Sequence, residues 1–265
     1  MTRTQSWAIK GGIFGLIIAG IVTMQVDRLR SALNPQASAL PQQAELQTQE
    51  AQLQLSLLKT LPDVGYRNLI ADWTFLNFLQ YFGSNEYRQI NGYGLSAEYF
   101  DVILERDPYF YLAYVYLSSS VSIFAGQAEK AVELQERGLQ NLSPEFPPEG
   151  YFIWRHKGID EILFLDDVEA ASRSHQTAAE WAAQSSDPRA QEDQVSLRQT
   201  AEFLAGNPDR TQAQIGAWAQ VLGSVPDDKS RAEVIKNIEA LGYEVVPNEQ
   251  GSYSIRQQAS STPEE

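Results

Sequence analysis

His156 and Asp160 stand four residues apart in WRHKGID. On a helix that spacing brings an imidazole and a carboxylate to one face, where they could share a metal ion. A metal needs further ligands, and Glu161 points elsewhere around the helix, so the pair is expected to be a surface contact. His175, 19 residues on, lies in a polar run and is expected to be solvated. Carboxylate doublets occur at Asp160-Glu161, Asp166-Asp167 and Asp227-Asp228. Acid–base catalysis needs two carboxyls facing one cleft, and sequence neighbours diverge. The last two doublets precede predicted helices, where negative charge suits the helix N-terminus. There is no glycine-rich phosphate loop, no His-Glu-x-x-His motif and no cysteine. The sequence therefore predicts no catalytic residue, no cofactor and no metal, and not an enzyme.

The chemistry being scarce, the elements carry the reading. Of 265 residues, 1–30 hold Arg3, Lys10, Arg28 and Arg30 against Asp27, a net +3. The chain as a whole carries -14, so residues 31–265 carry -17 and repel nucleic acid and anionic headgroups. Residues 7–26, WAIKGGIFGLIIAGIVTMQV, reach about 30 Å as a helix, one hydrocarbon thickness. Trp7 suits the membrane interface, Gly11, Gly15 and Ala19 form a small-residue stripe, and Val26 ends the span before Asp27 and Arg28. An uncleaved anchor over 1–30 is expected. The rival, a cleaved signal peptide, would use Ala37-Ser38-Ala39, far beyond the apolar run. A slight positive excess on the N-terminal side favours a non-cytoplasmic body on a single-pass membrane protein.

Residues 31–43 carry Pro35 and Pro41 among small polar residues and read as a linker. A helix follows over 44–59. Residues 107–133 open with aromatics that alternate like a strand, but Phe110, Ala113, Tyr114, Leu117, Val121 and Phe124 keep helical spacing further. The spacing predicts a helix over 108–125, with Asp107 as N-cap, Pro108 in the first turn and Gly126 as the stop. Further helices are expected over 66–82, 95–106, 128–142, 151–164, 168–183, 190–205, 211–222 and 229–241. A β-hairpin is expected within 243–258, turning around 248–251, and residues 259–265 read as a disordered tail.

The helices fall into pairs closed by prolines, Pro108, Pro144 and Pro188, about the period of a helical-hairpin repeat. GQAEKAVELQERGL, with Ala131 and Gly138 at the small positions, resembles the second helix of a tetratricopeptide repeat. ADWTFLNFLQYFG supplies Trp73 and Leu76, and WRHKG supplies Trp154 and Gly158, with Ala170 beyond. Lys157 and Gln135 depart from the pattern, standing where apolar residues are usual. The resemblance implies an all-α, tetratricopeptide-like repeat domain over 44–187, with capping helices over 188–242. It also implies a concave groove on the first helix of each pair, nominating Thr74, Phe78, Tyr81, Tyr116, Ser120, Arg155 and Ile159. Arg155 would clamp a carboxylate. The aromatic surplus around them reads either as core or as groove. The chain resembles membrane-anchored assembly factors of photosynthetic and other energy-transducing complexes, in a bacterial inner or thylakoid membrane. The implied function is a protein-binding scaffold. A permanent accessory subunit and an enzyme with an unrecognised site are the alternatives.

Overall fold

The computed structural model describes residues 40–62, 65–206, 209–225, 228–247 and 253–258. The expected anchor, residues 1–30, and its Trp7, Gly11, Gly15, Ala19 and Val26 lie outside these, as does the tail over 259–265. Among the described residues no helix is long and apolar enough to cross a membrane. The described chain is mainly α-helical, with one two-stranded sheet near its C-terminal end.

Helix α1 (Leu40–Thr60) starts inside the expected linker, because Pro41 falls in a first turn where its missing N–H is harmless. It ends just before Pro62. Next come α2 (Arg67–Gly83), a short α3 (Asn85–Asn91) inside what reads as a loop, and α4 (Ser96–Arg106). Two arginines close helix ends here. Arg106 Nη2 donates to the carbonyls of Leu58, Lys59 and Leu61 at 2.8, 3.1 and 3.0 Å, the orphan acceptors at the C-terminus of α1. Arg67 donates to the Glu105 and Arg106 carbonyls at 2.7 and 3.3 Å, closing α4 in the same way.

The aromatic stretch is helical, but it starts later and winds differently than expected. Asp107 Oδ1 accepts from the Tyr109 N–H at 3.0 Å, so Asp107-Pro108 forms a turn and α5 begins only at Tyr111 (Tyr111–Leu117). Ser118–Phe124 then continues as a π-helix. The Ser119 and Ser120 hydroxyls donate back to the Tyr116 carbonyl, at 3.2 and 2.7 Å. Such back-bonding competes with the regular ladder and favours a wider turn. Gly126, at φ +65°, stops the segment as expected.

Then follow α6 (Ala128–Leu139), α7 (Gly150–Leu163), α8 (Val168–Ala182), α9 (Ala190–Ala205), α10 (Arg210–Ser224) and α11 (Asp228–Ala240). Asp167 caps α8, accepting from Ala170 N–H at 2.8 Å, and Asp209 caps α10. Asp166 has a positive φ and pairs with Arg210 at 3.0 Å. Strands β1 (Tyr243–Pro247) and β2 (Tyr253–Gln257) form the expected antiparallel hairpin, with Val245 opposite Ile255.

Helix α7 is the spine. Ile153 joins a core made by α1, α2, α4, α5 and α6, while Ile159 and Ile162 join a second core with α10 and α11. Tyr151 and Phe152 join a third with α8 and α9. The N-terminal rings and α11 meet at Lys229. Its ammonium lies 4.9, 4.3 and 5.1 Å from the ring centres of Phe82, Tyr93 and Phe124. These rings are mutually 5.0 to 5.3 Å apart, a three-walled seat for a cation. Lys229 also donates to Asn85 Oδ1 at 3.0 Å. Partial burial, then Arg88, lowers its pKa.

Candidate functional site

The residues nominated for a groove do not line one. Thr74, Phe78, Ser120 and Ile159 are fully buried, and Tyr81 nearly so. Phe78 stacks among Phe75, Phe82, Tyr99, Phe100 and Tyr116. Thr74 Oγ1 donates to the Ile70 carbonyl at 2.7 Å. Tyr81 Oη accepts from the Leu95 N–H at 3.1 Å, beneath the Arg88 guanidinium 3.9 Å from its ring. Tyr116 is half-buried against Phe75 and Phe78. Arg155, also half-buried, lies over the Phe152 ring at 4.9 Å, and burial lowers its pKa. This face of α2 packs inward because its phenylalanines fill the space against α4 and α5.

The opposite face of α2 is the open one. Tyr66, Leu69, Trp73 and Leu76 recur at helical spacing and are 66, 64, 55 and 54% exposed. Trp73 and Leu76, which carried the repeat resemblance in this helix, therefore face solvent. Isolated exposed apolar residues are ordinary, but four on one stripe with a tryptophan at its centre have the composition of an interface. Arg67 and Asn68, on the first turn of the same helix, enter a cleft of about 890 Å³. Arg137, Asn141, Tyr109 and Phe146 also line it, together with residues 104–108. The Tyr109 and Phe146 rings lie 5.4 Å apart and are both exposed. Arg137 is engaged with Asp101, at 2.6 Å. Burial pushes the Asp101 carboxyl up, but its bonds to Lys59 and Arg137 outweigh this and hold it below the usual range. A stripe of large apolar side chains beside a polar, guanidinium-bearing cleft can bind a folded or helical protein segment. It holds no nucleophile poised on a base.

The residues that looked like surface chemistry are internal. His156, Lys157, Asp160 and Glu161 on α7 and His175 on α8 are all buried. Asp160 accepts from Ser118 Oγ at 2.7 Å and Gln135 Nε2 at 3.1 Å. Lys157 bonds Glu161, lies 3.3 Å from Ser174 Oγ, and reaches the edge residue Glu136 at 3.3 Å. Ser174 Oγ donates to Glu161 Oε2 at 2.7 Å. The departures Gln135 and Lys157 thus each meet a buried carboxylate of α7, Asp160 and Glu161 respectively. Among the described residues no three His, Asp or Glu side chains converge to hold a metal ion.

Burial drives the Asp160 carboxyl up to about 7, although Ser118 and Gln135 favour the anion. Burial drives His156 and His175 down, to about 3 and about 4. The two effects have opposite signs. Folded Asp160 keeps a proton that the unfolded chain releases near 3.8, so its contribution falls as pH rises through 7. The histidines stay neutral in the fold but protonate below 6.5 when unfolded, so their contribution falls as pH drops. Asp160→Asn should isolate the first effect. Its advantage over the parent should grow by on the order of a few kcal/mol from pH 5 to pH 8. Urea unfolding at the two pH values checks it, and an unchanged difference would mean that Asp160 is not buried as described.

No family model, curated protein or solved structure matches this chain.

Proposed function

We propose that the chain is a membrane-tethered helical scaffold that holds another protein on the outer face of α2. The observation that carries this is the exposed stripe of Tyr66, Leu69, Trp73 and Leu76. The apolar run over 7–26 supports the tether, and tethering near the bilayer lets a modest surface work at high effective concentration. The helices are read as tetratricopeptide-like hairpins, supported by Gly138 and Gly158, which let neighbouring helices close. In this reading the client is a subunit of an energy-transducing membrane complex, met during assembly, with the acidic body on the non-cytoplasmic side. A permanent accessory subunit would use the same stripe.

The test is affinity purification of the full chain from solubilised membranes. Leu69, Trp73 and Leu76 are exposed, so changing all three to alanine should leave the helical circular dichroism intact. A buried tryptophan anchor is worth about 2 kcal/mol or more, so the stoichiometric partner should be depleted more than about tenfold. Recovery of the same partner at the same yield would sink the proposal. Release by high salt and mild detergent marks a transient client, and retention marks a subunit.

A further inference from the structure

A second site gathers around the Phe152 ring of α7. Among the described residues five arginines are buried or half-buried: Arg88, Arg106, Arg137, Arg155 and Arg231. Four of these are engaged. Arg88 donates to the Gly92 carbonyl at 2.7 Å, and Arg106 to the carbonyls that end α1. Arg137 pairs with Asp101, and Arg231 with Asp228. Arg155 has only a ring to lean on, its guanidinium carbon lying 4.9 Å from the centre of Phe152. Its Nε is buried and donates to nothing. Its two Nη atoms make no hydrogen bond or ion pair either, but they are not buried, so they reach the surface as an end-on fork. Arg189, just before α9, lies over the same ring at 4.8 Å and is taken up by Asp187, which accepts from its Nε and Nη2 at 3.1 and 2.7 Å. Asp193 is the carboxylate that acts most strongly on Arg155. It makes no ion pair with Arg155, and its Oδ2 already accepts from Tyr151 Oη at 2.6 Å. Tyr111 of α5, half-buried, packs 5.9 Å from the Phe152 ring, and both guanidiniums act on its hydroxyl.

Each property selects a feature of the occupant. A cation drawn partly out of water without an anion is unfavourable, and burial lowers the Arg155 pKa accordingly. The planar fork of a guanidinium matches the two oxygens of a carboxylate. Asp193 near Arg155, with Asp187 and Glu149 near Tyr111, repels a doubly charged group more than a singly charged one. Arginine and tyrosine in a half-desolvated setting are also the residues that anchor interfaces. We infer that Arg155 binds a single carboxylate from outside the chain, end-on through its two Nη atoms, beside the Phe152 and Tyr111 rings. A free carboxylic acid and the C-terminus of a polypeptide offer the same group. The inference rests on the unpaired fork, not on the groove that the repeat resemblance implies, and it is independent of the α2 stripe.

The test uses the full chain in nanodiscs with its arginines ¹⁵N-labelled. The guanidinium resonances of Arg155 are assigned by their loss in Arg155→Gln. The probes are acetate, inorganic phosphate, an acetylated Gly-Gly-Leu peptide with a free C-terminal carboxylate, and the same peptide as its C-terminal amide. The peptide acid should move the Arg155 resonances and leave those of exposed Arg198 in place. The amide should bind more than about tenfold more weakly, a difference of about 1.4 kcal/mol. Arg155→Lys keeps the charge but not the fork, and should weaken the acid to a similar degree with the helical circular dichroism unchanged. A tighter response to the peptide acid than to acetate assigns the natural group to a polypeptide, and an equal or tighter response to acetate assigns it to a free molecule. The inference is overturned if phosphate binds more tightly than either carboxylate, if the amide moves Arg155 as far as the acid, if Arg155→Lys binds the acid as well as the parent, or if no probe moves Arg155.

Discussion

Replacing Gly138 with alanine should destabilise the protein by about 3 kcal/mol or more, the upper range for overpacking a filled core. Helix propensity alone gives the opposite sign, since alanine is better than glycine inside a helix by about 1 kcal/mol. Geometry decides between them. A methyl at Gly138 on α6 would lie 1.9 Å from Tyr114 Oη and 2.8 Å from its ring. Tyr114 is fully buried, and its hydroxyl donates to the Pro108 carbonyl at 2.9 Å. It cannot retreat without losing that bond and breaking the packing of α5. Chemical denaturation gives the loss directly. Adding Tyr114→Phe removes the closest atom and should recover part of it, so the two changes should be far from additive. Additive effects, or a stabilised Gly138→Ala, would mean that α5 and α6 are not in this contact.

The second large effect concerns the internal ion pair. Lys157→Met should be destabilising by about 3–5 kcal/mol, because it strands the buried Glu161 without its cation. Glu161 is 3% exposed, and the remaining Ser174 donor is a weak substitute for an ammonium. The double variant Lys157→Met with Glu161→Leu removes both charges and should recover most of the loss, coming within about 1–2 kcal/mol of the parent. Thermal unfolding of the parent, the single and the double variant measures this. A single variant as stable as the parent would show that the pair is open to water.

The contrast between these positions explains what was legible in the sequence. Glycine and proline stops at Gly83, Gly126 and Pro62, and apolar spacing such as Ile215, Trp218 and Leu222, mark helix ends and faces by local rules. Those elements, and the C-terminal hairpin, match the structure closely. Helix α2 defeats the same logic. It has large apolar residues all round, so spacing could not say whether Phe75 and Phe78 or Leu69 and Trp73 face inward. Helix α7 defeats it in the other direction. Its His156 and Asp160 read as a surface pair, whereas both are buried and Asp160 is met by Ser118 and Gln135 from neighbouring elements. His175 was misplaced for the same reason, since small residues around it permit close packing without looking apolar. The π-helix has no local signature beyond its serines, because the wider turn answers to partners far away in the chain. For the candidate surface, Trp73 and Leu76 stand out in the sequence only as repeat positions, and their exposure is visible only in the fold.

The seat for Lys229 bears on how the molecule is built. Its ammonium comes 147 residues after Phe82, and the three rings that receive it are complete by Phe124. A growing chain can therefore finish its aromatic packing while Lys229 is still inside the ribosome. Contacts this distant in sequence close late. The ammonium works as a final fastener, and a nascent chain halted before it would expose Phe82, Tyr93 and Phe124 to any chaperone waiting at the exit.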